Sequence, residues 1–235
     1  MIWLGIDTAN TPLSIAIVKD GILLSEVNTS VAVNHSLQAM PEIEDLFKRV
    51  KLEPEEIDAI AVSEGPGSYT GVRIGVTIAK TLAWTLKKPL VGVSSLQVLC
   101  ANGLYFNGVL CPVVDARRGN VYSAIYEYKD GQLLSLLDDG HYSMNDVLQA
   151  VVDLKRPVLF IGKDVGLHEQ AIVEKCENVT IAPYTDQLPR ASKLIAIAEK
   201  VDPESSVHAF TPEYRRIAEA EANWLKQQRK EQDSE

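Results

Sequence analysis

The sequence predicts an α/β protein built from two similar lobes, each running β-β-β-α-β-α-β-α around a mixed sheet. Three observations carry this. An apolar strand, a polar break and a second strand-like run occur twice, as "IWLGID"–"TANTP"–"LSIAIV" and as "GVLCPVVD"–"ARRGN"–"VYSAIYEY". Each second run is followed by the same Lys-Asp-Gly turn, Lys19–Gly21 and Lys129–Gly131, a strong hairpin signal between alternating apolar runs. After each hairpin, helix-period and short buried-strand patterns alternate, which requires helices on the faces of a sheet.

In the first half, "SLQAMPEIEDLFKRV" places Leu37, Met40, Ile43, Leu46, Phe47 and Val50 at helical spacing, with Pro41 kinking the helix or marking its start. "IDAIAVS" is a short buried strand, Val72 to Leu86 a helix, "PLVGVSS" a strand and Leu96 to Asn102 a short helix. In the second half, helices are expected over Met144 to Lys155, Leu167 to Cys176 and Ala191 to Val201, separated by the strands "PVLFIG" and "NVTIAP". Pro212 to Lys230 reads as a polar helix with a basic end. The expected units are 1–106, 107–204, and a C-terminal helix and tail over 205–235. A duplicated unit of this order resembles the actin-like ATPase, sugar-kinase and Hsp70 superfamily, in which two ribonuclease H-like lobes close over a nucleotide.

Bulk properties narrow the function. An apolar share of 46% and a charged share of 23% are those of an ordinary globule. The first ten residues meet Asp7 too early for a signal peptide or a membrane span, so a cytoplasmic location is expected. A net charge of −9 argues against a free-standing nucleic-acid binder, which needs a cationic footprint. Cys100, Cys111 and Cys176 are widely spaced and read as small buried hydrophobes.

The stretch "SEGPGSYTGVRIGVTIAK", Ser63 to Lys80, has the look of a phosphate loop but fails each test for one. Gly65, Gly67 and Gly71 are spaced one residue too long for a dinucleotide fingerprint. Gly71-Val72-Arg73 stands where a P-loop has Gly-Lys-Ser/Thr, and the centre of "GSYTG" is Tyr69 rather than a serine. Anion binding at the helix N-terminus stays open, whereas loop-borne catalysis does not. His35, His141, His168 and His208 show no i, i+4 pairing for a metal, so neither a metal nor a cofactor is expected. Asp7 is the best remaining candidate, because the resemblance to actin-like enzymes implies a carboxylate after the first strand that handles a phosphate or its metal. It equally suits a turn-organising role in "DTANTP".

Along the following helix Gly71, Gly75, Ala79 and Ala83 form a stripe of small side chains. With Val72, Ile74, Val76, Ile78, Leu82 and Trp84 on the other faces, the helix is apolar nearly all round. Such a stripe suits either tight packing against the protein's own sheet or a docking face for another protein; the expectation is the docking face, rimmed by Arg73 and Lys80.

At this point four blocks, "LGIDTANTPLSIAIV", "GPGSYTGVRIGVTIAKTLAW", "VVDARRGNVYSAIY" and "PEYRR", resemble the TsaB (YeaZ) family in order and spacing. The resemblance implies a non-catalytic partner of TsaD that acts with TsaE in forming threonylcarbamoyladenosine on tRNA, next to the anticodon. It implies that the chemistry takes place on TsaD, where threonylcarbamoyl-adenylate delivers its carbamoyl group to the adenosine amine. It further implies that the docking surface combines the helix after the glycine loop with the helix near His35, giving Gly71, Val72, Arg73, Gly75, Val76, Ala79, Lys80, His35 and Leu37 as interface residues. The same surface would serve a homodimer when TsaD is absent. TsaD holds a metal through an H-x-x-x-H run, and the equivalent stretch here begins Ser94-Ser95-Leu96. No peptidase machinery is carried over. Arg117, Arg118, Arg215 and Arg216 are candidate tRNA or partner contacts. The alternative is an independent nucleotide-binding ATPase or phosphotransferase that uses Asp7.

Overall fold

The computed structural model describes residues 1–31, 35–204 and 206–213. Two five-stranded sheets form, and they share one plan. β1 (Ile2–Asp7), β2 (Leu13–Lys19), β3 (Ile22–Thr29), β4 (Ala59–Gly65) and β5 (Leu90–Ser94) assemble in the order β3-β2-β1-β4-β5. β6 (Val109–Asp115), β7 (Asn120–Lys129), β8 (Gln132–Ser143), β9 (Val158–Ile161) and β10 (Val179–Ile181) assemble as β10-β9-β6-β7-β8. In each sheet the first three strands are antiparallel and the others join in parallel, the ribonuclease H-like order. Both Lys-Asp-Gly turns have the two central residues at positive φ, Asp20 (49°) with Gly21 (75°) and Asp130 (53°) with Gly131 (77°). That backbone matches the right-handed twist of the strands it joins. β1 is buried at all six positions, which is why "IWLGID" is continuously apolar instead of alternating.

The helices follow the expected order, with local differences. α1 (His35–Val50) runs through Pro41 without starting there, and Pro41 stands on the exposed side. α2 (Tyr69–Leu86) begins three residues earlier than the apolar pattern announced, because Ser68 caps it. α3 (Ser95–Cys100), α4 (Met144–Leu154) and α6 (Ala191–Ala198) match. The helix expected from Leu167 instead divides into a 3₁₀ turn, Lys163–His168, and a short α5 (Glu169–Lys175). Gly162 and Gly166 flank and interrupt that segment, and glycine is a poor helix former. The expected C-terminal helix, with Arg215 and Arg216, lies outside the described residues. Among the described residues no helix is long and apolar enough to cross a membrane.

Which sheet each helix covers is less simple than chain order. α1 and α2 pack on one face of the first sheet, bringing Ala39, Ile43, Leu46, Val72 and Val76 onto Leu4, Ile6, Ile15, Ile17 and Ile60. Its other face is covered from the second half, where Ala191, Leu194, Ile195 and Ala198 of α6 meet Trp3, Ala16, Ala59, Ala61 and Val91. Reciprocally, Leu96 and Leu99 of α3 pack on Leu110, Val114, Tyr126 and Leu159 of the second sheet. α4 and α5 close that sheet's remaining face. Each half therefore lends its last helix to the other. Alanine and glycine on the first sheet make room for this, since a Cβ on Gly5 would stand 2.8 Å from the Ala191 carbonyl oxygen.

Candidate functional site

The glycine loop leaves β4 through Gly65, at φ 107°, and a cis Gly65–Pro66 peptide. It then lies directly on the turn between β1 and β2. The Ser68 N–H donates to the Ala9 carbonyl at 2.7 Å, and Thr8 Oγ1 donates to the Gly71 carbonyl at 2.7 Å. A Cβ on Gly67 would come within 2.3 Å of Ala9 O, and one on Gly71 within 2.3 Å of Thr8 O. On Gly75 it would stand 2.4 Å from Thr8 Oγ1. These glycines are there to let α2 and its loop press against the protein's own backbone.

This corrects the expectation that the small-residue stripe faces a partner. Gly71, Val72, Gly75, Val76 and Ala79 are all buried beneath their own helix. A small stripe does permit a close approach, but here the approaching chain is Thr8–Ala9. Lys80 also departs from its expected place at an interface rim. It is half-buried, and its Nζ donates to the carbonyls of His208 (3.0 Å) and Phe210 (2.6 Å).

The outward side is a different set. Leu37 is 70% exposed, Met40 45%, Tyr69 61% and Trp84 63%. Arg73 is exposed, with its guanidinium 5.1 Å from the centre of the Tyr69 ring. His35 is half-buried and donates from Nε2 to the Asn10 carbonyl at 2.9 Å, tying the start of α1 to the β1–β2 turn. Between the two helices a groove of about 450 Å³ is lined by Ser36, Met40, Tyr69, Arg73, Ile74 and Ile78. Met40 also borders a larger apolar cavity of about 830 Å³ toward Phe47, Leu82 and Leu86. Of the sequence-expected residues, Arg73 lines this groove, Leu37 is exposed on α1, and His35 is tied to the β1–β2 turn. Met40, Tyr69 and the groove itself were missed, although Leu37 and Met40 lie one turn apart in the helical pattern.

Asp7 is fully buried. Its Oδ1 accepts the Ala9 N–H at 3.0 Å, the turn-organising arrangement. Burial pushes its carboxyl up to about 6, although the Ala9 N–H and the nearby Ser63 hydroxyl both lower it. Neither Asp7 Oδ2 nor Ser63 Oγ has a hydrogen-bond partner of ordinary geometry. α2 lies against the adjoining turn at Thr8.

The Ser94-Ser95-Leu96 stretch is occupied structurally. Ser94 Oγ caps α3 at the Leu96 and Gln97 N–H groups, at 3.2 and 3.4 Å, and donates to Asp139 of β8. Ser95 Oγ donates to the Pro66 carbonyl. Among the described residues no group of three or more His, Cys, Asp or Glu side chains is placed to hold a metal ion. The three cysteines are buried free thiols, and burial pushes Cys111 up to about 12. Arg117 and Arg118 stand exposed at the tip of the β6–β7 turn, both at positive φ.

A family profile described as "TsaD: tRNA N6-adenosine threonylcarbamoyltransferase" matches residues 24–224. The chain is 43% identical to the tRNA threonylcarbamoyladenosine biosynthesis protein TsaB of Bacillus subtilis, over 97% of this chain and 100% of that one. The chain belongs to the TsaB family. Its TsaB relative in Escherichia coli is 35% identical over 53% of this chain and 54% of its own. A Pseudomonas aeruginosa structure, described as similar to the peptidase YEAZ, superposes with a TM-score of 0.77 at 22% identity. It covers 92% of this chain and 99% of its own, and shows the shared fold. The glycine loop, α1 and α2 fall inside the region matched by the family profile.

Proposed function

We propose that this TsaB-family chain takes part in tRNA threonylcarbamoyladenosine biosynthesis as a non-catalytic docking subunit. It binds a TsaD partner directly through the outward side of α1 and α2, supports the docking of TsaE and tRNA, and pairs with a second copy of itself when TsaD is absent. The transfer of the threonylcarbamoyl group to the adenosine belongs to TsaD. The observation that carries this reading is the apolar groove between α1 and α2, with Met40 and Tyr69 exposed along it and Leu37 exposed on α1 one turn from Met40. Exposed apolar side chains collected on one face mark a protein–protein contact. Arg117 and Arg118 are the described candidates for contacts to tRNA within the assembly.

The test is co-purification of the chain with the TsaD of its own organism. Leu37→Glu is expected to abolish the complex while the isolated chain keeps its thermal transition. Complex formation equal to the parent would reject the docking role of this face. No peptidase activity is expected of the purified chain, and cleavage of a casein substrate that survives repurification would reject that.

A second reading, a nucleotide-using enzyme, is favoured by the unpartnered Asp7 Oδ2 and Ser63 Oγ. The full burial of Asp7 weighs against it. Titration calorimetry with ATP and magnesium decides: heat that is lost in Asp7→Ala would support the enzyme, and no heat the docking subunit.

A further inference from the structure

The segment Ser206–Glu213 has no regular secondary structure, yet it closes the first core. α1 lies over β2 and β3, and α2 over β1 and β4, while α3 departs to the second sheet. The β5 side of the α1–α2 face is thus only touched by α2, and the returning chain completes it. Glu204 N–H donates to the Leu90 carbonyl at 3.0 Å as the chain arrives. Phe210 is 4% exposed and joins the core of Val72, Val76 and Leu90. Gly92 makes its slot, since a Cβ there would lie 2.6 Å from the Phe210 ring. Val207 packs against the same core. From α2, Lys80 Nζ clasps the carbonyls of His208 and Phe210, and Trp84 meets the His208 ring edge-on at 5.9 Å. Beyond Phe210, Glu213 N–H donates to the Glu64 carbonyl at 2.8 Å, at the rim of a cleft of about 420 Å³ between the two sheets.

We propose that Ser206–Glu213 is a releasable strap, with Phe210 as its plug and Lys80 as its latch, and that its closure holds the C-terminal half of α2 in place. Three features make it releasable. It belongs to no sheet ladder, one ring supplies its main apolar anchor, and its clasp is a single half-buried lysine. Segments with few buried apolar contacts open at lower free energy than the core around them. Because Lys80 and Trp84 stand on α2, opening the strap loosens that helix, and because Glu213 rests on Glu64, it also opens the cleft rim. The strap is thereby a mechanical link between the cleft and the outer surface of α2. This holds whichever molecule, if any, docks on that surface.

Hydrogen–deuterium exchange on the intact chain tests it. Phe210→Ala is expected to raise exchange at least about tenfold in peptides covering 206–213 and 78–86, and to leave 144–154 of the second half unchanged. Lys80→Met, which keeps the plug, is expected to raise exchange of 206–213 several-fold, with a smaller rise in 78–86. A strap that exchanges faster while α2 does not would overturn the link. A uniform rise across both halves of Phe210→Ala would overturn the local device in favour of general core loss. Should Phe210→Ala not fold, Lys80→Met decides alone, and unchanged exchange in both peptides overturns the proposal.

Discussion

The two halves carry the same turn, and the protein uses it in two ways. Asp7 and Asp115 each end the opening strand of their half, and each accepts the N–H two residues on, from Ala9 at 3.0 Å and Arg117 at 2.9 Å. Gly65 and Gly162 each end the parallel strand beside it at strongly positive φ, 107° and 139°. Yet Asp7 is fully buried and Asp115 is exposed. The segment after the glycine makes the difference. In the first half a long α2 with small residues at Gly71 and Gly75 settles on the turn. In the second half a 3₁₀ turn comes next, and the β6–β7 turn is left in solvent with two arginines at its tip. The two halves keep one backbone plan, and one seals the place that the other leaves open.

The largest expected effect breaks that seal. Gly75→Glu puts a carboxylate where Thr8 Oγ1 and Val62 already stand, and should cost more than about 4 kcal/mol, unfolding the first half in thermal melts. Asp7→Asn works in the opposite direction. Its carboxyl, at about 6 when folded against an ordinary 3.8, is held protonated by the folded protein over a range where the unfolded chain has already ionised. Stability is therefore lost as pH rises from about 4 to about 6 and stays lost above. Replacing the carboxylate with the neutral amide should raise stability near pH 7.5 by up to about 3 kcal/mol, and the gain should vanish near pH 3.5. A gain independent of pH would show that burial of the charge is not its source. The matching Asp115→Asn, at an exposed turn, should change stability by less than about 0.5 kcal/mol at either pH.

Glycine replacements sharpen the same contrast at smaller scale. Gly71→Ala meets the Thr8 carbonyl oxygen at 2.3 Å and should cost about 1–3 kcal/mol by overpacking. Gly119→Ala meets nothing within 4 Å, and its φ of 76° should cost about 1 kcal/mol. Denaturant titration of the two variants separates contact from backbone strain.

Strand and helix order was legible because burial leaves period-two, period-3.6 and continuous apolar patterns behind. The partner sheet of each helix was not. Leu96, Leu99, Leu194 and Ile195 announce that α3 and α6 have apolar faces, but nothing local says that each crosses to the other sheet. The glycine stripe was misread for a related reason. Small residues at Gly71 and Gly75 signal a close neighbour without naming it, and the neighbour is Thr8, about sixty residues earlier in the chain. The strap left almost no signal, since Phe210 is a single aromatic in a polar run. The turn-organising use of Asp7 was among the sequence readings because an Asx turn is local.

The central claim is that the outward groove between α1 and α2 docks the partner, with the buried glycine stripe serving only to position α2. Titration calorimetry of Leu37→Glu/Met40→Glu against purified TsaD tests it most directly, since both side chains are exposed and the fold does not need them. The account predicts an affinity loss of at least about a hundredfold, with a melting temperature within a degree or two of the parent. Affinity within about twofold of the parent, at an unchanged melting temperature, would contradict it.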